Sequence, residues 1–192
     1  MAHHLLIAAS ALALIALSGC VSAGSGTSGS SANGVVTSAP AKMSPTLTAT
    51  LYDKSGTISV GSATLKQMAS GGKTQLSLGI TLPAGTYGMH LHSVGKCDAP
   101  DFTTAGPHWN PGGKQHGFDN PMGSHGGDLP NLVITGNGGD AMIINFGPIS
   151  IGDLMDADGA SLIIHANPDD YKTDPSGNSG GRIICGVFAD LP

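Results

Sequence analysis

The 192-residue sequence predicts an all-β fold, an eight-stranded antiparallel barrel or sandwich carrying two long functional loops. Three observations lead there. With 30 Gly, 12 Pro and no Glu, good helix formers are too sparse to sustain long helices. Short runs of Val, Ile, Leu and Thr recur with the two-residue alternation of half-buried strands. Clusters of turn-forming residues separate those runs.

The first strand is read in TLTATLYD from Thr46, where Leu47, Ala49 and Leu51 share one face. Seven further runs cover 58–68, 74–82, 86–92, 132–135, 141–146, 161–166 and 182–188. Gly71-Gly72 ahead of Lys73, Pro83-Ala84-Gly85 and Gly136-Asn137-Gly138-Gly139 mark turns between them. No internal repeat is present. Two stretches, 93–130 and 167–181, remain as long loops. Connections of that length are functional or disordered, and both carry residues suited to binding metal, which favours function.

The N-terminus reads as a targeting segment rather than as part of the fold. The apolar run 5–17 is too short to span a bilayer and ends in Leu17-Ser18-Gly19-Cys20, which resembles the lipobox of bacterial lipoproteins. The n-region departs from that pattern, offering His3 and His4 in place of Lys or Arg. The domain layout expected is a signal peptide over 1–19, a lipid-anchored Ser/Gly-rich linker over 20–44, and one folded domain over 45–192. If Cys20 carries lipid, Cys97 and Cys185 are left as a pair in an exported, oxidising setting. A formal charge of −5 with no basic patch argues against a nucleic-acid partner.

The chemistry concentrates between His90 and Asp128. Five of the six histidines beyond the N-terminal segment lie there, spaced H-x-H, fifteen residues, H, seven, H, eight, H, two, D. His90 and His92 leave one face of a strand, which fits a rigid half-site for a metal and fits a pair of surface histidines equally. His165, in LIIHA, taken alone reads as a core histidine more readily than as a ligand; taken with the rest of the set it reads as a ligand. His108, His116, His125 and Asp128 make a closed set of three nitrogens and one oxygen, which suits structural zinc. The remaining imidazole-rich set suits copper, and no Cys-rich set offers a thiolate site. Without Glu, an H-E-x-x-H peptidase site cannot exist, and the cupin pattern with its glutamate ligand is missing. H-x-H-x-D-H is absent too, because Ser93-Val94 follows His92.

Over 46–192 the sequence resembles a copper/zinc superoxide dismutase of the bacterial, exported kind. The residues that carry this are GMHLH (88–92), Cys97, AGPHWNP (105–111), His116, HGGDL (125–129), IHA (164–166) and GGRIICGV (180–187). The resemblance implies a Greek-key barrel, flattened like a sandwich. It implies copper on His90, His92, His108 and His165, and zinc on His108, His116, His125 and Asp128, with His108 bridging the two. Asp169 resembles the family's carboxylate behind the ligands, with His90 and His116 as the partners expected. Cys97 and Cys185 match the family's disulfide. Arg182, the one arginine in the chain, matches the residue that attracts substrate beside copper; read alone, it is an ordinary strand residue.

The activity implied is dismutation of superoxide to dioxygen and hydrogen peroxide by one-electron cycling of copper, with His108 and Arg182 as the catalytic residues. Lys96, Lys114 and Lys172 are candidates for steering the anion, opposed in the second loop by Asp169 and Asp170. The location expected is the periplasm or cell envelope, anchored through lipid on Cys20, and the resemblance allows a homodimer as well as a monomer. A copper-storage module and a metal-stapled structural domain are the rival classes. Retention of all seven ligands and Arg182, with no C-x-x-C, weighs against the first.

Overall fold

The computed structural model describes residues 46–69, 72–136 and 139–190. The expected signal peptide, Cys20 and linker lie outside the described residues. Among the described residues ten strands form, in chain order β1 (Thr46–Asp53), β2 (Ser59–Gln67), β3 (Lys73–Thr81), β4 (Gly85–Tyr87), β5 (Met89–His92), β6 (Leu132–Ile134), β7 (Gly139–Pro148), β8 (Ser161–His165), β9 (Arg182–Val187) and β10 (Ala189–Asp190). Between β7 and β8 lies one turn of helix, α1 (Ile151–Leu154), capped by the Ser150 hydroxyl, which accepts from the Gly152 N–H.

All strand pairs are antiparallel, in the order β5-β8-β9-β1-β2-β3-β7, with β10 on β1 and a separate β4-β6 ribbon. β1, β2 and β3 follow as plain hairpins, and β8 and β9, also consecutive, pair across the second long loop. Next to β3 comes β7, and next to β5 comes β8, so the chain crosses between the halves of the barrel in Greek-key fashion.

The run expected over 86–92 is two strands, because the chain changes partner at Gly88. Before it β4 pairs with β6; after it β5 pairs with β8. Gly88 itself bonds to the second long loop, its N–H donating to the Asn167 carbonyl at 2.7 Å while its own carbonyl accepts from the His165 N–H at 2.8 Å. A Cβ at this position would stand 2.7 Å from that of Ser179, so the close approach requires glycine.

Alternation places the core. Leu47, Ala49 and Leu51 from β1, Ala63 and Leu65 from β2, and Leu76, Leu78 and Ile80 from β3 are buried while their neighbours in sequence face outward. Each wholly buried leucine contributes about 2 kcal/mol against the entropy of ordering the chain. β5 and β8 differ, being buried at every position. Their inner face supplies Met89, Leu91, Leu162 and Ile164 to the main core, and the long loops cover the outer face, where His90, His92 and His165 emerge. That covered outer face is where the site is built.

Candidate metal centre

The first long loop returns to the open edge of β5 and hydrogen-bonds along it. The Leu91 N–H donates to the Gly127 carbonyl at 2.8 Å, Leu91 accepts from the Trp109 N–H at 2.8 Å, and the Ser93 N–H reaches the Pro107 carbonyl at 3.0 Å. Two bridges follow in register, His90 opposite Asp128 and His92 opposite His108. Thus three segments distant in sequence bring four groups to one place. Across β5, β8 delivers His165 just beyond a register shift, opposite Arg182 of β9.

The side chains form two donor clusters that share a ring. The nitrogens of His90, His92, His108 and His165 lie within 4.8 Å of one another, and all four residues are buried. Nδ1 of His90 and Nε2 of His92, His108 and His165 have no hydrogen-bond partner among the described residues. On the far side of the His108 ring, Asp128 Oδ1 stands 3.1 Å from His108 Nδ1, 2.9 Å from His116 Nδ1 and 3.2 Å from His125 Nδ1. His125 Nδ1 is 3.3 Å from His108 Nδ1. A tetrahedral zinc with ligands at about 2.0–2.1 Å has donor–donor edges of roughly 3.3 Å, so this second cluster fits such an ion.

The opposite nitrogen of each ring is tied down, which decides the tautomer. His92 Nδ1 donates to the Gly106 carbonyl at 2.9 Å and His165 Nδ1 to that of Gly180 at 3.1 Å. Asp169 takes two at once, from His90 Nε2 at 2.8 Å and from His116 Nε2 at 3.0 Å. It therefore links one ring of each cluster. Gly177, at φ +62°, lies over this junction, and a Cβ there would meet the Asp169 carboxylate and come within 2.7 Å of His116 Nε2.

Burial lowers the pKa of His90 and His92, pushes His165 down to about 3 and His108 to about 4, the latter against the pull of Asp128. These rings are neutral, as ligands must be. Burial also opposes charge on His116, but its bonds to Asp128 and Asp169 outweigh that and hold its pKa up at about 9. Both carboxylates resist the upward push of burial, their histidine partners keeping them well below the usual range.

Cys97 and Cys185 are joined in a disulfide, tying the first loop to β9. Phe102, Ala105 and Ile163 pack with it in a small core of their own. The loop held this way aims two carbonyls at Arg182, whose Nη1 donates to Phe102 and Nη2 to Gly106, both at 2.7 Å. The Gly106 carbonyl thus orients His92 and Arg182 together. Outside these contacts opens a cavity of about 1250 Å³, with His92, His108 and His165 on its wall beside Arg182. Of the three candidate steering lysines, Lys114 lines this cavity, while Lys96 pairs at 2.9 Å with Asp98.

Sequence reading did not single out Asn131 or Tyr171. The Asn131 side chain clamps Asp169, donating to its carbonyl at 2.9 Å and accepting from its N–H at 2.8 Å. The Tyr171 hydroxyl accepts from the Asn131 N–H at 2.7 Å, and the Tyr171 N–H donates to Asp169 Oδ1 at 2.7 Å. A lone loop Asn gives no signal of this. Nor do the Gly106, Gly180 and Phe102 carbonyls, since every residue has one.

An antiparallel β-barrel with two histidine-rich donor clusters sharing one imidazole defines a metalloprotein with paired metals. The family model described as copper/zinc superoxide dismutase (SODC) matches residues 59–188. The chain is 46% identical over 111 residues to a superoxide dismutase-like protein of Bacillus subtilis, covering 55% of this chain and 57% of that one. With superoxide dismutase [Cu-Zn] 1 of Aquifex aeolicus it shares 42% identity over 133 residues, 67% of this chain and 79% of that one. The crystal structure of a SOD-like protein from Bacillus subtilis superposes with a TM-score of 0.68 at 38% identity, covering 74% of this chain and 97% of the other. The chain belongs to the copper/zinc superoxide dismutase family. Copper and zinc are the metals of that family, and the groups close enough to hold an ion are His90, His92, His108 and His165, and His90, His108, His116 and Asp128, with His125 beside the second.

Proposed function

We propose that the chain dismutates superoxide outside the cytoplasm, two superoxide anions and two protons giving one dioxygen and one hydrogen peroxide. In this reading His90, His92, His108 and His165 hold copper, and His108, His116, His125 and Asp128 hold zinc. The observation that carries it is the set of four buried ring nitrogens, from His90, His92, His108 and His165, without a partner among the described residues. Each such atom left unsatisfied costs about 1–3 kcal/mol, so four converging on one point call for a ligand.

Copper, when bound, supplies the one-electron couple that takes an electron from one superoxide and gives it to another, while zinc supplies fixed charge beside it. The residues do the rest. Arg182, half-buried and held by two carbonyls, presents its guanidinium on the cavity that holds His92, His108 and His165 and attracts the anion. His108 lines the same cavity and, with its Nε2 unpartnered among the described residues, is the side chain placed to accept and pass on a proton. The carbonyls of Gly106 and Gly180, with Asp169, stop the rings from turning their N–H inward.

The disulfide suits an exported protein. The same reading has residues 1–19 as an export signal, Cys20 lipidated, 20–44 as a tether and 45–192 as the enzyme. It works in the periplasm or cell envelope, as a monomer or a homodimer. The test is superoxide decay after a radiolytic pulse at graded copper loading of the zinc-containing protein. Decay in proportion to copper, approaching the diffusional ceiling of about 10⁹ M⁻¹s⁻¹, is expected. Decay no faster than the copper-free control refutes the proposal.

A further inference from the structure

The cavity over His92, His108 and His165 does not suit an anion alone. Its wall carries Asp153, Asp156 and Asp174 against two cations, Lys114 and Arg182, among the described residues. Arg182 is already engaged with two carbonyls, and no ion pair joins either Asp153 or Asp156 to a cation among the described residues. Two of the carboxylates are held in place by the fold. Asp153 sits on α1, which is pinned by the buried side chains of Ile151 and Leu154 and by the Ile151 N–H donating to Gln67 Oε1 at 3.0 Å. Asp156 lies just past Met155, the C-cap of α1, and accepts from the Asp158 N–H at 3.0 Å. On the same wall, the Nε2 atoms of His92, His108 and His165 are more than nine-tenths buried and unpartnered.

We infer that this cavity is the copper-loading route, with Asp153 and Asp156 as a capture rim that draws the hydrated copper cation toward the waiting histidine nitrogens. The inference rests on the metal assignment proposed above. A cavity of this volume is roughly 11 Å across, close to the screening length of about 8–10 Å at physiological salt, so the rim charges are felt throughout it. For a dication they are attractive, and for superoxide they are repulsive. The rim therefore trades speed of substrate capture for speed of metal capture, and the two effects have opposite signs.

That sign difference is the test. The full chain in non-ionic detergent, zinc-loaded and copper-free, is mixed with aqueous Cu(II) by stopped flow, and the growth of the visible copper band is timed. Asp153→Asn with Asp156→Asn is compared with wild type and with a charge-matched control, Asp119→Asn with Asp190→Asn, at exposed residues off the cavity. Two charges removed at a separation on the order of 10 Å slow capture of a dication by about fivefold at 10 mM ionic strength, shrinking below about twofold at 0.15 M. The control loads at the wild-type rate, and the copper-loaded rim variant consumes superoxide faster than wild type at low salt. Stoichiometric copper binding at equal rates in all three proteins overturns the capture rim and leaves the metal assignment standing. Failure of every protein, wild type included, to bind one copper in the zinc-loaded state overturns both.

Discussion

Replacing Asp169 with Asn removes one charge and almost no volume, yet it should cost the protein its grip on copper. The carboxylate accepts from His90 Nε2 at 2.8 Å, His116 Nε2 at 3.0 Å and the Tyr171 N–H at 2.7 Å. Two of these share Oδ1. An Asn keeps most by placing its carbonyl there, which turns its amide NH₂ toward the N–H of His90. Two donors then face each other. His90 relieves the clash by moving its proton to Nδ1, the unpartnered atom aimed into the copper-side cluster, where a protonated nitrogen cannot ligate. Loss of such an outer partner typically weakens metal binding 10–100-fold, or about 1.4–2.7 kcal/mol. Copper affinity should fall by that factor and zinc affinity by less, since His116 keeps its acceptor. Competition against chromophoric chelators, one metal at a time, with circular dichroism to show an intact barrel, measures both. Copper and zinc affinities each within twofold of wild type would refute the argument that Asp169 sets the tautomers.

Arg182→Ser should slow superoxide consumption about tenfold at low ionic strength. Arg182→Lys should recover only part of this, because an ammonium cannot fork to the carbonyls of Phe102 and Gly106; pulse radiolysis of Ser and Lys variants with equal rates would contradict the forked geometry. Cys97→Ser with Cys185→Ser opens a loop spanning 88 residues, for which chain entropy predicts a loss of about 4–5 kcal/mol in unfolding free energy, read from urea midpoints. Gly177→Ala puts a methyl against Asp169 and His116 at a positive φ, so zinc should bind more weakly and Tm should drop, both measurable by calorimetry with and without zinc. In the metal-free protein, His116, with its pKa raised to about 9, adds stability that is complete below about 6.5 and fades as pH rises through 9. His108 and His165, lowered to about 4 and 3, do the reverse, and their contribution is lost as pH falls from 6.5 toward those values. Urea midpoints should therefore decline on both sides of neutrality; a midpoint that rises steadily toward pH 4 would contradict the buried, neutral rings.

The alternation of β1, β2 and β3 was legible because each has one wet and one dry face, and a period of two records that directly. The division at Gly88 was not, since both halves of the run are strand-like and only the change of partner separates them. Helix α1 was also missed, a single turn being too short for a periodicity of 3.6 to register. Among the candidate ligands, spacing and residue type marked His108, His116, His125 and Asp128 as a metal-suited set. His90 and His92 by themselves fitted surface histidines equally, and His165 by itself read as a core residue because of its apolar flanks; only the whole set with its spacing turned these three into ligands.

Residue identity by itself determined that this chain is β-rich, that its chemistry is imidazole chemistry, and which family it resembles, because those follow from which side chains exist and at what intervals. Tertiary structure alone decided how the donors are oriented. Which nitrogen of each ring is free depends on what the other nitrogen meets, and those partners are the backbone carbonyls of Gly106 and Gly180 and a carboxylate 79 residues from His90. The balance of charge at the cavity is likewise a property of the fold, since Asp153 with Asp156, Asp174, Lys114 and Arg182 come from four separate segments and act together only through the space they enclose.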